Sequence, residues 1–181
     1  MTAIDKNTWR VVNVTRIGEV DLRRLYPDTW ESTKAEFEKD GITLSVSPAT
    51  DPLKNDRVWV VLSDLTIVVR FGCGKTWEYR FKRGYISDLA SVPKVLLGIV
   101  DDDSREIILG ALVHDANYAG RLVPFGIAND MLGQMIRKCG GKPWEGFTVW
   151  LAVSLGGKGV YNAGERLGTD VELTNFELVK G

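Results

Sequence analysis

Few residues in this 181-residue chain are equipped for chemistry, and one stands by itself: the sequence has 1 histidine, His114, followed at once by Asp115. A single imidazole removes every site built on two or more, from HExxH metalloproteases to three-histidine zinc centres. Carboxylates and hydroxyls stand near it in sequence where an apolar pattern would not ask for them. Asp88 and Ser91 lie in the segment GYISDLASVP (84–93), Tyr118 follows His114 by one helical turn, and Asn129-Asp130 comes later. If these side chains converge, two chemistries are open. His114 with Asp88 and Asp130 forms a one-histidine, two-carboxylate ligand set for a divalent metal such as Zn²⁺ or Mn²⁺, with Asp115 as orienting group or general base. Without a metal, Ser91 is the nucleophile and His114 its base, oriented by an aspartate. Each residue also has a plainer reading. Ser91 ahead of Val92-Pro93 makes a good helix N-cap, Asp88 can close an Asx-turn, and a lone histidine near a helix end is ordinarily a hydrogen-bonded core residue.

The elements that must position these groups follow from the apolar period. The first half reads as β-rich and the second as helical, an α+β pattern in one domain spanning 1–181. Strands are expected at Trp9–Ile17 and Ile42–Val46, with a short helix at Asp28–Lys39 capped by Asp28 and a loop at Ser47–Asp56. Arg57–Leu62, Leu65–Phe71 and Thr76–Lys82 follow in close succession and predict an antiparallel β-meander. In the last, Trp77, Tyr79 and Phe81 alternate with charged residues, as in a sheet with one face buried. Beyond Pro93 the period becomes helical and predicts a three-helix C-terminal half. One helix starts near Asp103, with Glu106 completing an acidic capping box, and runs toward Tyr118. A second covers Gly126–Lys138 and ends at Gly140-Gly141. A third follows Pro143 and carries Trp144, Phe147, Leu151 and Leu155 at spacings of three and four. Core packing is the expected role of Trp144, as of Trp77 and Trp59. The tail from Gly156 is Gly-rich, then polar, and reads as an arm or a peripheral strand.

Two glycine motifs imitate phosphate cradles. Gly72-Cys73-Gly74-Lys75-Thr76 lacks the upstream glycine and the following helix of a P-loop, and reads as a hairpin turn. Gly156-Gly157-Lys158-Gly159 reads as a helix end. Composition narrows the function further. Lys+Arg 23 against Asp+Glu 24 leaves a net charge of -1, without the electrostatic footprint of a nucleic-acid or polybasic membrane binder. Cys73 and Cys139 have no CxxC spacing, which suits a reducing compartment. No stretch has the length and apolarity of a membrane span or a signal peptide.

The motifs GYISDLASVPK, LVHDANY and IANDML together resemble the DUF1353 family of tailed bacteriophages and prophages. That family shares an Asp-Leu-Ala-Ser-Val-Pro loop, a His-Asp pair with a tyrosine shortly after, and a later Ala-Asp helix. The resemblance covers about residues 57 to 160, and its matching positions are Asp88, Ser91, Pro93, His114, Asp115, Tyr118 and Asp130. The chain departs from it at Pro124-Phe125-Gly126, where a basic residue is common, and at Asn129, which stands between Ala128 and Asp130. The family's function is unknown, so the resemblance implies a phage origin rather than an activity. The first expectation is a virion structural or assembly component, in the particle or in the host cytoplasm during assembly, that binds other phage proteins or further copies of itself. Its polar cluster is then a structural network, with Tyr118 as a binding residue. The alternative is a metal-dependent hydrolase of a peptide or cell-wall amide bond acting through His114, Asp115 and Ser91.

Overall fold

The structure, a computed structural model, describes residues 8–44, 58–87, 89, 104–167 and 175–181. The element order is β1 (Val11–Ile17), β2 (Leu22–Leu25), α1 (Trp30–Lys39), β3 (Val58–Val61), β4 (Leu65–Phe71), β5 (Thr76–Phe81), β6 (Ile86–Ser87), α2 (Arg105–Ala119), α3 (Phe125–Lys138), α4 (Pro143–Leu167) and β7 (Phe176–Lys180). The strand-rich half precedes three of the helices, and the fold is α+β. The fourth helix, α1, lies within the strand-rich half.

The strands form two antiparallel sheets, not one meander. β4 and β5 pair as expected, flanked by β1 and β7 in the order β1-β4-β5-β7. β3 leaves them and joins β2 and β6 in a second, three-stranded sheet. The three-residue link after β3, Leu62 to Asp64, thus crosses between sheets instead of closing a hairpin. β2, whose four residues Leu22–Leu25 are too short to declare a period, was not expected. Gly72–Thr76 is the β4–β5 turn: Phe71 N–H donates to the Lys75 carbonyl at 2.9 Å, and Gly74 takes φ +87°. No phosphate cradle exists there.

The inner face of the larger sheet is set by the alternation seen in sequence. Ile67, Val69, Trp77, Tyr79 and Phe81 are buried against Leu112, Ala116, Ile127 and Met131 of α2 and α3. The smaller sheet packs on α1 through Leu25, Trp30, Phe37, Val58 and Val60. Helix α1 starts after Thr29, not Asp28. Residues 42–44 are not strand, although Leu44 is buried in this second cluster. Residues 45–57, which hold the rest of that expected strand and the expected loop, lie outside the described residues.

Helix α4 lies across α2 and α3 on the side away from the sheet, joined to them through Ile107, Ala111, Leu132, Ile136, Val149 and Val153. α2 is therefore the middle layer and is buried on all sides, as a helix apolar all round must be. α3 ends where expected: Gly140 takes φ +108°, and Gly141 N–H returns to the Ile136 carbonyl at 2.9 Å. α4 corrects two expectations. It continues through the glycines at 156–159 to Leu167, and its Trp144, Phe147, Leu151 and Leu155 stripe faces out, while Val149, Ala152 and Val153 supply the core. Trp144 is 43% exposed, so of the tryptophans expected in the core Trp77 is the one fully buried there.

The α3–α4 crossing is close because both helices present glycine. A Cβ on Gly146 would stand 2.6 Å from the Gly133 carbonyl oxygen, and one on Gly133 would stand 2.9 Å from the Gly146 oxygen. Backbone cannot yield as a side-chain tip can. Gly146→Ala is therefore expected to destabilise by about 1–3 kcal/mol despite the better helix propensity of alanine. Gly159→Ala, where an added Cβ meets nothing within 4 Å, is expected to stabilise by about 0.5–1 kcal/mol. Paired denaturant titrations of the two variants check both signs.

Candidate functional site

Because α2 is buried on every side, each polar side chain it carries has to find its partner inside the protein. It carries several, and they point two ways. Toward the sheet, Asn117 is fully buried and its Oδ1 accepts from the Tyr79 hydroxyl at 3.1 Å. Toward α3 and α4, His114 and Tyr118, one turn apart, meet Asn129 of α3. The Asn129 Oδ1 lies 3.0 Å from His114 Nε2 and accepts from the Tyr118 hydroxyl at 2.5 Å, while its Nδ2 donates to Ser154 Oγ of α4 at 3.4 Å. One amide thus joins three helices. Since its carbonyl oxygen can only accept, it places the His114 proton on Nε2.

The other edge of His114 faces Asp115. His114 Nδ1 lies 3.6 Å from Asp115 Oδ1, and the other carboxylate oxygen, Oδ2, accepts a short hydrogen bond from the Ser87 hydroxyl of β6. Ser87 Oγ also receives Leu89 N–H at 3.0 Å, and Leu89 takes φ +52°, a left-handed conformation that strains a residue with a Cβ. The chain leaving β6 is thus held against α2 by one serine. The pocket is nearly closed: the side chains of His114 and Asp115 are 3% and 13% exposed.

Burial pushes the Tyr118 phenol well above its ordinary range, with the Asp115 charge adding to the effect and the Asn129 hydrogen bond opposing it. Burial raises the Tyr79 phenol likewise, opposed by its bond to Asn117. Tyr118 also lies over the His114 ring, with centroids 3.9 Å apart.

Of the residues singled out in sequence, His114, Asp115 and Tyr118 come together. Asp88 and Ser91 lie outside the described residues. Asp130 is turned to a different side of α3, where its Oδ1 accepts from Trp150 Nε1 of α4 at 2.9 Å. Among the described residues, no group of three His, Cys, Asp or Glu is placed to hold a metal ion. The residues that the sequence reading passed over are Ser87, Asn129 and Asn117. Asn129 had a signal: it interrupts the apolar face formed by Ile127, Ala128, Met131 and Leu132, where only a partnered amide can sit.

A model of the family described as "Protein of unknown function (DUF1353)" matches residues 59–153. The chain belongs to the DUF1353 family. The match covers more than half of the chain, from β3 into α4, and includes His114, Asp115, Tyr118, Asn129 and Asp130. The DUF1353 segment therefore contains the whole α2–α3 part of the network, while β1, β2, α1 and β7, which complete the two sheets, fall outside it. No curated protein and no solved structure matches the chain.

A separate hollow of about 250 Å³ lies where β1 meets the ends of α2 and α3, lined by Arg16, Arg105, Glu106, Lys138 and Cys139 among others. Burial pushes the Cys139 thiol up to about 11, with the Glu106 charge adding to it and Arg105 opposing. At neutral pH this cysteine stays a thiol and reacts slowly, whereas Cys73 is exposed in the β4–β5 turn. Timed alkylation followed by intact mass is expected to show one fast adduct, at Cys73, and one slow adduct.

Two further outcomes follow from the network. Asn129→Ala leaves two buried donors without an acceptor, and is expected to lower stability by about 2–5 kcal/mol, against under about 1 kcal/mol for Ser154→Ala, which removes one long bond. The raised phenols give a pH dependence whose sign is fixed. The unfolded chain releases its tyrosine protons near pH 10 while the folded chain holds those of Tyr79 and Tyr118, so stability falls as pH rises from about 9 to about 11. Denaturant midpoints at the two ends of that window check it.

Proposed function

We propose that this DUF1353 protein is a bacteriophage structural or assembly component that works by binding other proteins through the outer face of α4. The observation that carries the reading is the stripe of Trp144, Phe147, Leu151 and Leu155, which are 43%, 58%, 40% and 79% exposed. With about 150–250 Å² for each large side chain, the stripe leaves roughly 400 Å² of apolar surface in contact with water. A patch of this size matches the largest apolar patch of a typical soluble monomer, which is often functional. No charge interrupts α4 between Gly146 and Gly157, so nothing on this face favours water over a partner. The phage assignment rests on the likeness of the Asp88–Pro93, His114-Asp115 and Asp130 motifs to those of phage and prophage members. On this reading the His114 network serves the binding face indirectly, by fixing the height and rotation of α4 on α2 and α3.

A second reading, hydrolysis of a peptide or cell-wall amide bond, is favoured by one observation: Asp115 stands between the Ser87 hydroxyl and the His114 ring. There His114 is the base and Asp115 its orienting group, while Asp130, bonded to Trp150 on another side of α3, does not join them at a metal. The burial of His114, with Nε2 committed to Asn129, weighs against it.

In lysates of phage-producing cells, the wild-type chain is expected to co-sediment with particles or their assembly intermediates. Leu155→Glu with Phe147→Glu is expected to remain at the top of the gradient with unchanged circular dichroism and melting temperature. A variant that still co-sediments contradicts the binding reading. Release of new amino groups from peptidoglycan fragments by the purified chain, with Zn²⁺ or Mn²⁺ added, would favour the hydrolase instead.

A further inference from the structure

We infer that the hollow where β1 meets the ends of α2 and α3 binds a small phosphorylated polyol or sugar, with Arg16 and Arg105 holding the phosphate group. The site stands apart from the outer face of α4 and does not depend on how that face is used.

The two arginines sit where local rules disfavour a cation. In β1, Val14 pairs with Val69 and Arg16 pairs with Ile67. Ile67 and Val69 are fully buried on the inner face of the sheet, so the register turns Arg16 toward the helices, where Val14 and Leu109 line the hollow beside it. Arg105 is the first residue of α2, where the positive end of the helix dipole repels it. No side chain caps that end: the Ser104 hydroxyl is buried and has no hydrogen-bond partner among the described residues. Lys138, the third cation at the hollow, has an ordinary place in the last turn of α3. An inward charge on an edge strand such as β1 also guards the edge against pairing. That role would account for Arg16 alone and leaves Arg105 unexplained.

Three cations from three elements thus share one hollow with one carboxylate, Glu106. Among the described residues none of the three is in an ion pair, whereas Arg23, Arg80 and Arg83 each meet a carboxylate. Like charges gathered over a concave wall repel one another and raise the local potential, and an anion set between them relieves both effects. The lining carries two more positive charges than negative, which matches a phosphate monoester above its second pKa of about 6. Guanidinium forks fit the spacing of phosphate oxygens, and Lys138 adds a point charge. Cys139 adds none, because burial keeps its thiol protonated at neutral pH.

Glu106 sets the character of the remainder of the ligand. A carboxylate only accepts hydrogen bonds, so beside the phosphate it calls for a hydroxyl and repels a second anionic group. The volume of about 250 Å³ lies just under the roughly 300–1,000 Å³ of drug-sized pockets. That leaves room for a phosphorylated polyol or monosaccharide and too little for a nucleotide.

The test uses the full chain at low ionic strength, with glycerol 3-phosphate as probe and inorganic phosphate and glycerol as comparisons. Titration calorimetry is expected to show one site for glycerol 3-phosphate with a sub-millimolar Kd, weaker binding of inorganic phosphate and none of glycerol. Arg16→Gln with Arg105→Gln is expected to weaken binding by about tenfold or more with unchanged circular dichroism, and Lys82→Gln, on another part of the surface, to leave it as it was. A second readout needs no variant: the probe is expected to slow alkylation of Cys139 in the wild type while Cys73 reacts as before. Absence of saturation below about 1 mM, or a double arginine variant that binds like the wild type, overturns the inference. Binding that leaves Cys139 alkylation unchanged overturns the assignment to this hollow. Equal affinity for inorganic phosphate and glycerol 3-phosphate overturns the role given to Glu106, and with it the choice of a hydroxyl-bearing ester.

Discussion

Helix α2 passes between the larger sheet and α4, and the surroundings that make it a good core helix are hostile to the polar groups it carries. An unpaired amide, phenol or imidazole in such a place costs more than most single contacts contribute. The chain answers by setting a matching group on each neighbouring layer. Tyr79 comes from the sheet, Asn129 from α3, Ser154 from α4 and Ser87 from the strand that leads out of the smaller sheet. Hydrogen bonds have direction where apolar contacts do not, so these pairs set the rotation and register of α2 as well as its depth.

The placement of α4 follows from that constraint. Ser154 meets Asn129, Trp150 meets Asp130, and Gly146 rests against Gly133, so three contacts on one side of α4 settle which side remains outside. The outward side is the one with Trp144, Phe147, Leu151 and Leu155. An apolar stripe on a helix ordinarily turns inward. Here the inward side is lined by Gly146, Val149, Ala152 and Val153, with Trp150 reaching past the close glycine contact to Asp130. The large residues are left on the surface, and an exposed apolar face on a helix held this firmly is what a binding partner would require.

Much of the fold could be read in the sequence, and the exceptions have physical causes. The alternation through Thr76–Phe81 and the glycine pair after Lys138 are local signals, and the strand and helix end stand where those signals put them. The partners of β3 are not a local property: they depend on β2, four residues with little pattern, and on the two residues of β6. The spacing along α4 identifies a stripe without saying which side of the helix has a neighbour; the close glycines at 133 and 146, distant in sequence, decide it. In the polar cluster, the His114-Asp115 pair and Tyr118 were legible as residue types out of place. Asn129 looked like an intrusion beside Asp130 and is instead the junction, since adjacent helical residues diverge by about 100° and only one of the two can face α2.

On the binding reading, the outer face of α4 is open in the isolated chain and covered when the protein is at work. Hydroxyl-radical footprinting measures this directly, residue by residue. In dilute purified protein, Trp144, Phe147 and Leu155 are predicted to be oxidised readily and Val149 and Val153 hardly at all. In the assembled state, in the particle, the first three are predicted to become protected while the exposed Tyr26, in the link from β2 to α1, is labelled as before. Equal oxidation of Trp144, Phe147 and Leu155 in both states would contradict the binding reading.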